Sequence, residues 1–335
     1  MENKTILITG AAGYIGGTFA YEALKRGCKV IGLDNFSNSK NTYINYMKQN
    51  FADKFIFLEK DLRDNNLYEL KELQKDIDCV FHFAALKSVP DSEKNPKLYF
   101  ENNVEGTENL IKLMSLLSIK KLIFSSSAAV YGDQKTQPIK ETAILSPKSV
   151  YAKTKKMSED LIDKAVKESG LSAISLRYFN PLGSHRDKIV SDNFQNTSGN
   201  IMAMILRVKL GMNEKLFIYG DDYPTKDGTG ERDFIHITDL IEGHFKAYEK
   251  LHDNIGHIVF NLGTGTSISV SKLVRTFEQI NNSKIAFEII GRRKGDLARC
   301  YADSSKANRE LNWKAVYTLE NMCKDAWEAV KNGVN

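Results

Sequence analysis

Short β-branched apolar runs alternate with longer amphipathic stretches through the first 180 residues of the chain. The runs at 6–9, 30–34, 55–59, 79–82, 122–125 and 174–178 read as strands, apolar enough to be buried on both faces. Between them, 15–26, 97–117 and 150–169 carry apolar residues at helical spacing, with Pro96 placed to open the second. Such alternation predicts an α/β fold, a doubly wound parallel sheet covered by helices on both faces. Past residue 178 the pattern loosens through a Gly/Asn/Asp-rich segment to about 233, with a helix expected at 201–210 and a strand at 216–219. A helix at 238–251 and a strand at 258–262 are expected to rejoin the sheet before helices at 270–281 and 319–331. The predicted division is discontinuous: residues 1–180, rejoined by about 237–263, form the sheet domain, and 181–236 with 264–335 form a smaller C-terminal α/β lobe. The sequence has no low-complexity tract or flexible linker, so the lobes should pack closely with a ligand in the cleft between them.

Composition fits an ordinary globular chain. Of 335 residues, 42% are hydrophobic and 27% charged, enough to bury a large core. The opening Met1-Glu2-Asn3-Lys4 leads straight into the first strand without a signal-peptide pattern, and no apolar run reaches membrane-spanning length, so a cytoplasmic protein without a membrane partner is expected. Cys28, Cys79, Cys300 and Cys323 lie far apart with no CxxC pair, which argues against a disulfide framework or a metal site. The net charge of +5 comes from interspersed residues with only short basic runs, so no nucleic-acid footprint is expected.

Two constellations carry chemistry. Gly10, Gly13 and Gly16 stand where the first strand meets the first helix, the places at which glycine permits a tight turn, close approach to a pyrophosphate and close helix packing. The helix N-terminus would face the phosphates. Glycines alone also mark ordinary turns, but Asp34 ends the next strand where a carboxylate would accept hydrogen bonds from a ribose, and Asn35-Phe36-Ser37 offers no arginine for a ribose phosphate. The pattern is that of a Rossmann domain binding NAD in preference to NADP. Asp61-Leu62 after the third strand either borders the adenine or is an acidic turn. Further on, Tyr151 and Lys155 fall at i and i+4 on the predicted helix 150–169, with Ser127 beyond the end of the fifth strand. A tyrosine serving as a base near neutral pH must drop from about 10 to about 7, worth about 4 kcal/mol, which Lys155 and a positive nicotinamide ring would supply. Ser127 would hydrogen-bond the same substrate hydroxyl. Lys153 and Lys156 point to other faces and are expected to be solvated.

With these motifs in place, the chain resembles the extended short-chain dehydrogenase/reductase family, and within it the UDP-hexose 4-epimerases, over essentially its whole length. The matching stretches are ITGAAGYIG, LDNFSNSK, HFAALKSV, ENNVEGT, IFSSSAAVYGDQ, YAKTK, LRYFNPLGSH, YGDDYPTKDGTGERDFIH and GRRKGD. The resemblance implies NAD contacts from Gly10, Gly13, Tyr14, Ile15, Gly16, Asp34, Asn35, Asn38, Ser39, Asp61 and Leu62. It adds Phe83, Ala84, Ala85, Lys87, Asn102, Ser125, Tyr151, Lys155 and Tyr178 on the nicotinamide side. For the UDP-sugar it implies Lys87, Ser127, Tyr151, Tyr178, Asn180, Asn200, Ile201, Phe217, Tyr219, Arg232, Arg293, Asp296 and Cys300. Forked arginines suit a pyrophosphate and asparagine both donates and accepts, although Arg232 could instead pair with a neighbouring acid and Asn180 cap a turn. Ser127, Tyr151 and Lys155 would be catalytic, and the partner a second copy in a homodimer formed through helices 97–117 and 150–169.

The implied reaction oxidises carbon 4 of the hexose with bound NAD, lets the 4-keto sugar turn over, and returns the hydride to its other face. Departures from the pattern are Val150 where proline often precedes the tyrosine, and a Ser127–Tyr151 spacer one residue shorter than in some relatives. Cys300 stands where the family often has a bulky tyrosine, and its smaller volume predicts that N-acetylhexosamines are accepted alongside plain hexoses, unless the thiol is simply buried core. A 4,6-dehydratase would need an acid pair after the active serine, where this chain has Ala128-Ala129. A net reductase, which shares the trio, and a non-catalytic sensor of NAD and UDP-sugar remain as alternatives.

Overall fold

In the computed structural model, residues 1–64, 67, 76–190, 192, 200–251, 256–293 and 295–333 are described. Val30, Ile31 and Leu33 on one strand, and Ile6, Leu7 and Ile8 on its neighbour, are each at most 2% exposed, as befits strands covered on both faces. Strands β1 (Thr5–Thr9), β2 (Lys29–Asp34), β3 (Phe55–Glu59), β4 (Ile77–His82), β5 (Lys121–Ser127), β6 (Ser172–Tyr178) and β11 (His257–Leu262) form one seven-stranded sheet in the order β11-β6-β5-β4-β1-β2-β3. The β1–β2, β2–β3, β1–β4 and β4–β5 pairs run parallel. Strand order reverses between β1 and β4, the place in such sheets where loops part and ligands bind.

The chain divides into two units. The first comprises Met1–Val130, Pro147–Arg177 and His244–Phe260, and the second Tyr131–Ser146, Tyr178–Gly243 and Asn261–Asn335. Residues Tyr131–Ser146, which the hydrophobic pattern groups with the first half of the chain, cluster with the second unit. In the first unit, one face of the sheet is closed by α1 (Tyr14–Lys25), whose Phe19 ring meets Phe81 at 4.2 Å and Phe245 at 4.8 Å between centroids. On the other face Leu7, Val80, Leu122 and Phe124 pack with Leu110 of α5 (Gly106–Leu116) and Ile162 of α6 (Val150–Ser169). Helices α2 (Thr42–Asn50) and α3 (Val89–Lys94), absent from the sequence reading, complete this unit.

The helix expected at 97–117 is interrupted. A single turn α4 (Pro96–Tyr99) passes into a π-helix (Phe100–Glu105) before α5 resumes. Periodicity hides this, because a π turn inserts an extra residue without breaking the apolar stripe.

The second unit has α7 (Ile201–Lys209), α9 (Val270–Ile280), α10 (Ser305–Leu311) and α11 (Leu319–Lys331), with α8 (Ile237–Leu251) leading out of it. Its strands are short: β7 (Asn180–Leu182) pairs β10 (Phe234–His236), β8 (Leu216–Tyr219) pairs β13 (Phe287–Ile290), and β9 (Glu231–Arg232) lies between β12 (Ile268–Ser269) and β14 (Arg299–Cys300). Ile205, Leu216, Phe234, Leu273, Phe277 and Met322 form its core. Among the described residues, no helix is long and apolar enough to cross a membrane.

Candidate active site

At the C-terminal end of β1, Gly10 holds φ +72°, and a Cβ there would stand 2.7 Å from the Ala84 nitrogen; one on Gly16 would stand 2.1 Å from the Gly10 carbonyl. Glycine is therefore obligatory at both positions. Helix α1 begins on Gly13 with no side chain capping its N-terminus, which leaves an N-terminal turn suited to phosphate. Asp34, buried at the end of β2, accepts from the Ala12 amide at 3.0 Å, the Phe36 amide at 2.8 Å and Ser39 Oγ at 3.0 Å, so its carboxylate is pinned beside the glycine loop. These residues fit a dinucleotide with an unmodified ribose.

The remaining residues of this group have mixed surroundings. Asn35 donates to Asp61 Oδ2 at 2.7 Å, and Arg63 forks onto the same carboxylate at 2.6 and 2.9 Å, holding Asp61 down at about 2. Leu62 lies in the core among Leu7 and Leu110, and its carbonyl accepts from Asn109 Nδ2 at 2.9 Å. Asn38 is exposed. Phe83 directs its ring to Phe19 and His244, Ala84 donates its amide to Thr9 Oγ1 at 3.3 Å, and Ala85 follows in the same partly buried loop. Lys87 is exposed.

Asn102 donates to Asn103 Oδ1 at 3.0 Å. Its neighbour does more: buried Asn103 accepts from the Leu86 amide at 2.8 Å and donates to the Leu86 carbonyl and to Thr154 Oγ1, both at 3.0 Å. It ties the loop after β4 to α6. His82, missed in the same way, bridges Thr9 Oγ1 at 2.7 Å and Thr107 Oγ1 at 3.0 Å, and burial pushes it down to about 3, so it stays neutral.

Tyr151 and Lys155 stand on the first two turns of α6. That N-terminus is capped by Ser149, while the Val150 amide donates to Glu93 Oε1 at 2.8 Å and the Tyr151 amide to Ser92 Oγ at 3.1 Å, both from α3. An acid at a helix N-terminus is favourable, so α3 fixes where the tyrosine starts. The Tyr151 phenol faces Ser127 at the end of β5, close enough for the hydroxyl to pull its pKa down. Lys155, 3% exposed, donates to the Ser125 carbonyl at 2.8 Å and lies 4.9 Å from the Phe124 ring centroid. The structure thus brings Ser125, Ser127, Tyr151 and Lys155 together.

Burial pushes the Tyr151 phenol up, opposed by the nearby Ser127 hydroxyl, while Lys155 donates its ammonium to the Ser125 carbonyl and is itself driven down to about 7 by burial against the pull of Glu159. Lys153 is exposed, and Lys156 pairs with Asp160 at 2.6 Å.

The second group of candidates belongs to the second unit. Tyr178, buried, ends β6, and Asn180 donates its amide side chain to the Asp233 carbonyl at 3.0 Å. Asn200 caps α7 by accepting from the Met202 amide at 3.0 Å and donates to Asp192 at 2.6 Å; Ile201 packs on the core below. Phe217 and Tyr219 stand out from one face of β8, with the Arg293 guanidinium 4.8 Å from the Tyr219 ring centroid. Asp296 gathers both arginines, taking Arg232 at 3.0 Å and Arg293 at 3.1 Å, while Arg232 also donates to the Glu231 and Leu297 carbonyls at 2.8 Å. Cys300 lies beside Arg232 in register, and burial pushes its thiol up to about 11. Lys294 of the GRRKGD stretch lies outside the described residues.

Comparison with known proteins extends this picture. Residues 7–326 match the family model described as GDP-mannose 4,6 dehydratase. The chain is 41% identical to a UDP-glucose 4-epimerase of Bacillus subtilis, covering 98% of each. It superposes with a TM-score of 0.94 and 38% identity on a UDP-glucose-4-epimerase from Stenotrophomonas maltophila with bound NAD and formylated UDP-arabinopyranose, covering 99% of each chain. A UDP-Glc/GlcNAc 4-epimerase from Campylobacter jejuni superposes with a TM-score of 0.85 at 34% identity, covering 98% of this chain and all of the other.

Proposed function

The chain belongs to the NAD-dependent UDP-sugar 4-epimerases of the extended short-chain dehydrogenase/reductase family, and from that premise we propose that it interconverts UDP-glucose with UDP-galactose and UDP-GlcNAc with UDP-GalNAc through a transient 4-keto sugar. The observation that carries the reading is the Ser127–Tyr151 contact, with Lys155 one turn away on the same face of α6. Ala128 and Ala129 after Ser127, where elimination of water would need acids, support epimerisation over dehydration.

NAD, when bound, accepts a hydride from carbon 4 and returns it. The Gly10–Gly16 turn and the α1 N-terminus hold its pyrophosphate, and Asp34 holds its adenosine ribose. Tyr151 takes the proton of the C4 hydroxyl as the hydride leaves, and gives it back when the hydride returns; Ser127 keeps the phenol and that hydroxyl in line. Because burial raises the phenol, Tyr151 acts as a base only next to positive charge, and Lys155 with the cofactor's ring supplies it. The second unit anchors UDP through Arg232, Arg293 and Asp296, with Asn180, Asn200, Phe217 and Tyr219 around the nucleotide. Firm hold on UDP with loose hold on the sugar lets the keto form turn, whereas a pocket fitted tightly to one epimer would trap it. Cys300, small for its place, leaves room for an N-acetyl group.

The test is incubation with each of the four UDP-sugars without added cofactor, with products identified by NMR. Each should yield its 4-epimer, and a deuterium placed at carbon 4 should remain there, since the hydrogen returns to the carbon it left. Failure with all four sugars, or loss of the label to water, defeats the proposal; turnover of the plain hexoses alone defeats its N-acetyl part. A Tyr151→Phe variant that still holds NAD should lose about 10²- to 10⁴-fold in kcat.

A further inference from the structure

The face of α6 that carries Tyr151 and Lys155 continues one turn on to Glu159. This acid is 4% exposed and its carboxylate is fully engaged: Oε1 accepts from Ser126 Oγ at 2.5 Å and from Arg177 Nε at 2.9 Å, and Oε2 from Arg177 Nη2 at 2.7 Å. Ser126 is the middle of three serines at the end of β5. On one side Ser125 supplies the carbonyl that holds Lys155, and on the other Ser127 supplies the hydroxyl that meets Tyr151. We propose that Glu159 is a positioning residue for the reaction, fixing the serine run through Ser126 and keeping Lys155 charged beside Tyr151, an inference that rests on the role given to these residues above.

The charges around the pair support this. Lys155 faces Phe124 and the Ser125 carbonyl on β5, His82 on β4 and Glu159 on its own helix, where Tyr151 stands one turn before it. His82 is neutral, and Glu159 is the charge that opposes the effect of burial on Lys155. Glu159 in turn faces Arg177 on β6 and His257 on β11; the latter also feels Asp163 and is held below its ordinary value by burial. The Glu159–Arg177 pair is a buried ion pair, which on its own is weak evidence for a stabilising role. What sets it apart is that its acid also reaches the strand end on which the catalytic groups sit.

The experiment reads the Lys155 ammonium directly, by NMR of lysine-labelled protein with its signal assigned through Lys155→Arg, alongside kcat and KM against pH. In Glu159→Gln, removal of a nearby anion should lower the Lys155 midpoint by about one pH unit or more. The kcat should fall about tenfold with KM within about twofold. Glu159→Asp should recover most of both. Because the single variant strands Arg177, Glu159→Gln with Arg177→Gln serves as the folded check, and it should show the same downward displacement with a thermal midpoint near that of the wild type. An unchanged Lys155 midpoint in the double variant overturns the inference, as does a displaced midpoint with wild-type kcat. A wild-type protein that converts no UDP-sugar would instead refute the reading of the preceding section, while the midpoint still decides what Glu159 does to Lys155.

Discussion

A lysine that is 3% exposed and titrates at about 7 can carry its charge only against a folding cost. Its ordinary value is 10.5, so that cost is on the order of 5 kcal/mol at about 1.4 kcal/mol per pH unit. Below about 7 the side chain is charged in folded and unfolded chains alike and the whole penalty stands; above 10.5 it is neutral in both and the penalty is gone. Lys155→Met carries no such term. The difference in unfolding free energy, Met minus Lys, should therefore be largest below pH 7 and shrink as pH rises towards 10.5, in denaturant titrations at several pH values; a difference that stays flat would show that Lys155 is not depressed. At Cys300 the argument is volume. Cys300→Tyr should cut kcat/KM for the N-acetylhexosamines at least about tenfold while sparing UDP-glucose and UDP-galactose, and equal loss of both would mean that the thiol is packing rather than a gate.

The trio is legible in the sequence because Tyr151 and Lys155 belong to one regular helix, where spacing alone sets which residues share a face. Asn103 is not, because its role depends on a π-helix that periodicity cannot reveal and on partners from two other segments. The Thr107 hydroxyl of α5 donates to the Asn103 carbonyl at 2.6 Å and Ser158 of α6 donates to it at 3.0 Å, so the widened helix is fastened to α6 by its backbone as well as by its side chain. Asn103→Leu would leave both backbone groups of Leu86 without their side-chain partner. The expected cost is about 2–4 kcal/mol of stability, read by denaturant unfolding. A lower kcat should accompany it, because the Leu86–Lys87 loop and α6 lose their tie. Asn103→Asp keeps the acceptor for the Leu86 amide but loses both donated bonds, and should fall between the two; an Asp variant as damaged as Leu would show that the acceptor contributes nothing.

Over the whole molecule, the first unit is readable because its strands are apolar on both faces and its helices long. The second resists reading because β9, β12 and β14 are two residues each, too short for any period to register. What holds them is distant in sequence: buried Asp233 accepts from the Thr264 amide at 2.8 Å, the Gly265 amide at 2.9 Å and the Ala302 amide at 3.1 Å, contacts no local pattern announces. The arginine–aspartate cluster around Asp296 shares this character, and only family resemblance points to it. A homodimer is likewise an expectation from resemblance, and the surface of the first unit gives it a physical motive. Leu98 on α4, Leu116 on α5 and Met157 on α6 are each at least 40% exposed, within the stretches 97–117 and 150–169 that resemblance assigns to the interface. If those side chains meet a second copy, light scattering should report twice the 37.8 kDa of one chain. Leu98→Glu combined with Met157→Glu should then return it to a single chain, since burying unpaired carboxylates at an apolar contact costs more than such a contact supplies. Because α6 carries Tyr151 and Lys155 on its other face, the monomer should also lose kcat; a wild-type protein that is monomeric at micromolar concentration and fully active would remove the dimer from the account.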